Sequence, residues 1–285
     1  MKQLIVESLR LLTVLISFII IATFTQLFTV VGLNVQHYIV SLAHLAGNLI
    51  HIYDFHFQIA GGFIERKLFP FIIQPWLNTM KIFILALIIA IVLSFLMIAI
   101  AKRVKWLNWL MTRIVRVLGY LPDIFIMPIV ILLVILTYKH TGLLVIDVAS
   151  TVDKDIILLP AVLLSIVPFV QFYKILDQAI EEERSESYVM TAKGKGLSET
   201  EILIKHIMPN IASIYYINFR QVVWMTLSSL FVMEILFGIF GATSFLYTYH
   251  QPEIILTVLI LMFIPLYMMF IGLKFFIERF TGVSL

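Results

Sequence analysis

The stretch ESYVMTAKGKGLSETEILIKHIMPN, residues 186–210, is polar and helix-forming and carries two glycines, in a chain of 285 residues of which 61% are hydrophobic. Upstream of it, Ile175, Leu176 and Ile180 recur at helical spacing, and the charged run 181–184 is expected to supply a solvated surface. Gly194 and Gly196 should end that helix, because glycine accepts the left-handed geometry of a helix C-terminus. Ser198 followed by Glu201 three residues later has the pattern of a capping box, so a second helix should open there. ILIKHIM continues it until Pro209, which is expected to break it. The reading over residues 175–210 is therefore helix, tight glycine turn, helix. Ala192 and Gly196 are small residues at the bend and would let a partner's backbone approach closely. From local pattern alone, such an elbow serves equally as a docking piece for a soluble partner or as a solvated loop.

The rest of the chain says what the elbow is attached to. A mean hydropathy of +1.05 with 13% charged residues excludes both a soluble globular composition and disorder. There is no cysteine, hence no disulfide framework and no thiolate metal site. The pI of about 9.0 does not point to nucleic acid, because the basic residues cluster between apolar spans. Six segments are apolar enough to cross a bilayer: 11–31, 82–101, 122–138, 156–173, 211–240 and 254–276. The first lacks a small-residue cleavage site and is read as a retained helix. With the N-terminus inside, fourteen Lys and Arg fall in inside segments; the outside ones hold Arg66, Lys67, Lys139 and Lys154. The expectation is an all-α polytopic membrane protein with about six transmembrane helices, both termini cytoplasmic, and the elbow as a cytoplasmic helix-turn-helix. Residues 1–285 are read as one transmembrane domain. Residues 32–75 are expected to form an extracytoplasmic loop with an interfacial helix, and 175–210 the cytoplasmic loop that carries the elbow.

Set with its glycine at Gly196, the stretch resembles the EAA loop of binding-protein-dependent ABC transporter permeases. The second alanine of that pattern then falls at Ala192 and its proline at Pro209. The match is closer to the oligopeptide, dipeptide and nickel branch, which resembles E-x-Y-V-x-T-A-x-x-K-G-L-S, here Glu186, Tyr188, Val189, Thr191, Ala192, Lys195, Gly196, Leu197 and Ser198. The general family's glutamate falls at Met190 and its isoleucine at His206. The resemblance covers roughly residues 119–276 and is poorer before them. It implies a permease subunit forming half of the translocation pore of an ATP-driven importer in a bacterial inner membrane, with peptides or related small solutes, or nickel or metal chelates, as cargo. It implies that Glu186, Tyr188, Thr191, Ala192, Lys195, Gly196, Leu197, Ser198 and Pro209 seat in cytoplasmic ABC ATPase subunits. The chain has no G-x-x-x-x-G-K-[ST] phosphate loop, so it is expected to be no enzyme and to hold no cofactor, with ATP and Mg used by partner subunits. The other implied partners are a second permease, an extracytoplasmic solute-binding protein and membrane lipids.

Two charges fall inside the fifth span, Arg220 and Glu234, and Glu234 is the candidate pore or gate residue. Pro128 in the third span and Pro160 and Pro168 in the fourth are expected to interrupt their helices. His37, His44 and His51 recur every seven residues, with His56 nearby. Seven helical residues span about 10.5 Å, too far for two histidines to share one ion. They are read as the polar edge of an interfacial helix carrying Ile39, Leu42 and Leu49 on its other side. Asp153 and Asp155 are read as a solvated loop. An ion-coupled secondary transporter is the alternative function, although it calls for midplane acids or broken helices that these spans nearly lack. An intramembrane enzyme would need facing catalytic groups, and none is evident.

Overall fold

A computed structural model describes residues 2–29, 32–58, 65–142 and 156–282. Lys154, Asp153 and Asp155 lie outside the described residues. In chain order the helices are α1 (Lys2–Thr23), α2 (Val35–Gly47), α3 (Leu68–Phe71), α4 (Ile73–Ala101), α5 (Lys105–Leu118), α6 (Asp123–Thr141), α7 (Leu158–Arg184), α8 (Ser187–Gly194), α9 (Glu199–Ile202), α10 (Met208–Leu236), α11 (Ala242–Thr248) and α12 (Pro252–Thr281). Two short antiparallel pairs accompany them, Phe28–Thr29 with Gly32–Leu33 and His56–Gln58 with Glu65–Lys67.

The protein is an all-α polytopic membrane protein. Five helical stretches are long and apolar enough to cross a bilayer: Ile5–Leu27, Ile73–Ala101, Leu158–Arg184, Glu199–Leu236 and Pro252–Arg279. The apolar part of α6, Phe125–Thr141, is shorter and sits at the lower bound of a spanning helix. The helices outrun the apolar runs that mark them. α1 and α4 each begin nine residues before the start read from hydropathy, because helical hydrogen bonding continues through the polar flanks. Of the three prolines expected to interrupt helices, Pro160 does not. It lies in the first turn of α7, where no intrahelical N–H is required. Pro128 and Pro168 do lie inside α6 and α7.

The contacts group into two units. The first comprises Met1–Thr79 and Phe240–Tyr267. Its centre is an aromatic cluster in which Phe57, Phe245 and Tyr249 stand with ring centroids 4.7–5.7 Å apart, with Phe71 and Phe240 at its edge. Polar groups buried beside it are paired. Thr79 Oγ1 accepts from the Ala242 amide at 2.7 Å, Asn78 Nδ2 donates to the Phe240 carbonyl, and Trp76 Nε1 donates to the Leu261 carbonyl. The expected helix after residue 32 is α2, capped by Asn34, whose side chain accepts from the His37 amide. His51 and Leu49, however, fall in a separate 3-10 turn, with His51 at φ −99°, ψ 25°. The seven-residue histidine repeat is therefore not one helical row. His37 faces Gln26 and His44 faces Asn48, and the buried apolar anchor of α2 is Leu45 while Ile39 is exposed.

The second unit comprises Met80–Ile239 and Met268–Leu285. Its core is built where α7 lies along α10: Phe172 stacks on Phe219 at 5.8 Å, and Tyr215 packs against Phe172 and Phe95. An apolar groove of about 630 Å³ runs between α4, α10 and α12 in this unit. The elbow belongs to the same unit.

Candidate functional site

The chain leaves α7 at Ser185, whose hydroxyl bonds back to the Glu182 carbonyl and closes the last turn. Glu186 is extended (φ −71°, ψ 147°), and α8 starts at Ser187. Sequence reasoning ran one helix up to the glycines; the break comes earlier. The signal was the pair of serines in ERSES, which compete with the helix for backbone carbonyls.

α8 ends on a six-residue C-terminal lock. The Leu197 amide donates to the Ala192 carbonyl, the Gly196 amide donates to the Lys193 carbonyl, and Gly196 stands at φ +80°. These are the paired bonds of a Schellman motif. Ser198 then opens α9: its Oγ accepts from the Glu201 amide, and Glu201 Oε2 accepts from the Ser198 amide and hydroxyl. The expected capping box is present. Two caps joined by Leu197 leave the turn little freedom.

Pro209 does not break the helix that follows. A π-helical turn, Leu203–Ile207, precedes it, and the Met208 amide reaches the Leu203 carbonyl five residues back. A wide turn makes room for the proline ring and absorbs the missing N–H. The chain is therefore helical from Glu199 to Leu236, and the elbow is continuous with the long span α10.

The elbow is also braced from the side. Lys102, just beyond α4, has a side chain only 5% exposed and places Nζ 2.5 Å from both Asp177 Oδ1 and Glu181 Oε1 of α7. Glu181 lies 3.9 Å from Arg184, Arg184 lies 3.6 Å from Glu199, and Glu199 lies 3.0 Å from Lys193. The run 181–184 is thus partly an ionic bridge to α8 and α9 and not only solvated surface. Exposed links in such a chain are each worth under about 1 kcal/mol. The Lys102 pair counts for more, because the lysine side chain is itself buried and losing it would leave Asp177, only 28% exposed, without its closest cation. Tyr188 adds a further tie by donating its phenol hydrogen to the Glu183 carboxylate. Burial and the Glu183 carboxylate push its phenol up from about 10 to about 12, so it remains a donor throughout the physiological range.

The remaining elbow residues divide by exposure. Ala192 and Val189 are buried. Glu186, Thr191, Lys195, Gly196 and Ser198 are exposed, as is Met190. Leu197 and Pro209 are half-buried. Sequence reasoning missed Lys102, Asp177, Glu181, Glu183, Arg184, Lys193 and Glu199, whose pairing depends on how α7 meets its neighbours and leaves no local signature.

Glu234 is not part of this cluster. It lies some 25 residues past Pro209, about 38 Å along α10, and is fully buried. A second Schellman motif closes α10 there: the Ile239 amide donates to the Glu234 carbonyl, the Gly238 amide to the Ile235 carbonyl, and Gly238 stands at φ +60°. Arg220 is exposed, with its guanidinium 5.6 Å from the Phe270 ring centre. Among the described residues no group of three or more His, Cys, Asp or Glu is placed to hold a metal.

No curated protein matches the chain significantly. The family model for the binding-protein-dependent transport system inner membrane component matches residues 90–282, which takes in the end of α4 and all of α5 to α12, the elbow included. It begins well before residue 119, where the motif resemblance starts, and covers more than half of the chain. With a polytopic helical fold and a doubly capped elbow between two of its spans, the chain belongs to the family of binding-protein-dependent transport system inner membrane components, the permease subunits of ABC importers.

Proposed function

We propose that the elbow from Arg184 to Pro209 is the coupling piece of this permease. It seats in a separate cytoplasmic ATPase subunit and passes that subunit's ATP-driven closure to α7 and α10. The observation that carries this reading is mechanical. A turn locked by two caps is tied by ion pairs to the end of α7 and runs without a break into α10. A push on such a piece moves helices and is not absorbed by a loop. Glu186, Tyr188, Thr191, Ala192, Lys195, Gly196, Leu197, Ser198 and Pro209 are its working residues. Glu186, Thr191, Lys195 and Gly196, all exposed, contact the ATPase, as does Ser198, which with Ala192 and Pro209 also holds the shape.

On this reading ATP and Mg are bound and used by the partner subunits, both termini are cytoplasmic, and a second permease completes the pore. An extracytoplasmic solute-binding protein delivers cargo, and Glu234 at the far end of α10 serves the pore or its gate. The run Glu186 to Ser198 favours the oligopeptide, dipeptide and nickel branch, hence peptides or related small solutes, or a metal chelate. The test is uptake in right-side-out vesicles holding the whole complex. Uptake of a radiolabelled dipeptide or oligopeptide library that needs internal ATP and survives an ionophore is the expected result. Uptake that collapses with the ion gradient and ignores ATP would overturn the coupling role.

A further inference from the structure

The α4–α6 connection contains a helix that the transport reading leaves unused. α5 is joined to α4 by residues 102–104 and to α6 by residues 119–122. Fully extended, linkers of three and four residues reach roughly 11–14 Å, so α5, about 21 Å long, cannot leave the membrane boundary. It lies on the elbow's side, because Lys102 at the end of α4 pairs with Asp177 and Glu181 near the end of α7. One side of α5 is already occupied: Val115 is buried and Thr112 borders a small cavity with Tyr173, Lys174 and Asp177 of α7, with the exposed Arg116 at the rim where this side meets the next.

The other side has an unusual composition. At about 100° per residue, Lys105, Arg116, Trp109, Arg113 and Trp106 fall within an arc of about 100°. All five are exposed, with Trp106 at 67% and Trp109 at 52%, and the Arg113 guanidinium lies 4.1 Å over the Trp109 ring. The helix carries no acid. A solvated helix face mixes both charge signs and shuns tryptophan. Bases interleaved with tryptophans suit the headgroup layer, where indole rings settle and anionic lipids attract Lys and Arg.

We propose that this face of α5 is a binding surface for anionic phospholipid, with Arg113 and Arg116 on the phosphate and Trp106 and Trp109 at the glycerol level. It anchors the α4–α6 connection on the membrane side that carries the elbow. The surface is separate from the elbow, and its test does not depend on ATPase docking.

The test uses the full chain in its assembled complex, in nanodiscs doped with a photoactivatable phosphatidylglycerol or a phosphatidylcholine with the same acyl chains, and adducts mapped by mass spectrometry. The expected result is phosphatidylglycerol labelling of residues 105–117 well above phosphatidylcholine labelling. Arg113→Gln and Arg116→Gln should each cut that preference by about fivefold at most. Arg113→Lys and Arg116→Lys should keep most of it, and inorganic phosphate should not compete. Equal labelling by the two lipids would overturn the proposal. So would competition by inorganic phosphate, which means a small-anion site. Protection of α5 in the assembled complex with labelling only of the isolated chain would also overturn it, by making the face a protein interface.

Discussion

Two helix ends in the same unit use one backbone device in opposite settings. α8 ends on Gly196 and α10 ends on Gly238, each at positive φ and each with the paired bonds of a Schellman motif. A Cβ added at either glycine would meet nothing within 4 Å, so the backbone cost of a side chain is similar at both. The surroundings differ. Gly238 is flanked by Glu234, Phe237 and Ile239, all buried, whereas Gly196 sits among exposed Lys195, Ser198 and Thr191. A positive-φ glycine thus marks an exposed helix end in both places, and what differs is the company it keeps: buried side chains on either side of Gly238, exposed polar ones around Gly196.

The sharpest way to break that comparison is bulk at the elbow. Gly196→Trp is expected to take uptake to background while the chain still inserts, since a Cβ there meets nothing within 4 Å and the left-handed strain costs about 1–2 kcal/mol; normal uptake would remove the elbow from the coupling role. Glu234→Gln follows, expected to slow uptake severalfold if the buried carboxylate serves the pore, and unchanged uptake would leave it a structural residue. Lys102→Ala should lower thermal stability of the purified protein by about 2 kcal/mol, below the ~3–5 kcal/mol of a fully buried pair because Glu181 stays half in solvent. Gly238→Ala should cost about 1–2 kcal/mol of left-handed strain with near-normal uptake per folded molecule, the reverse of the pattern at Gly196. Tyr188→Phe is the smallest, about 1 kcal/mol for one hydrogen bond. Because the Tyr188 pKa is raised in the folded protein, its contribution is fully present below pH 10 and is lost as pH rises toward about 12. A pH series of melting temperatures for wild type and Tyr188→Phe checks this, and the two should converge only at the alkaline end.

The caps of the elbow were legible in the sequence because they are local: GKG and the Ser198/Glu201 pair carry their chemistry within a few residues. The spans were legible for the same reason, through hydropathy, although their ends were not. What was hidden needs a second element. Lys102 counts in the sequence as one more basic loop residue, and only the approach of α4 to α7 makes it a buried partner of Asp177 and Glu181. Pro209 reads as a stop by its missing N–H, yet a wide turn just before it lets the helix continue. Glu199 carries no local signal of a role, yet the meeting of α7, α8 and α9 places it beside both Arg184 and Lys193.

The most direct test of the coupling claim uses the absence of native cysteine. Ser198 is poor as a reporter because it caps α9, whereas Met190 is 65% exposed on the outer face of α8. A single cysteine at Met190, crosslinked in native membranes of cells expressing the intact complex, should yield an adduct with an ABC ATPase subunit identifiable by mass spectrometry. A cysteine that reacts freely with a small thiol reagent in that complex and captures no ATPase would contradict the account.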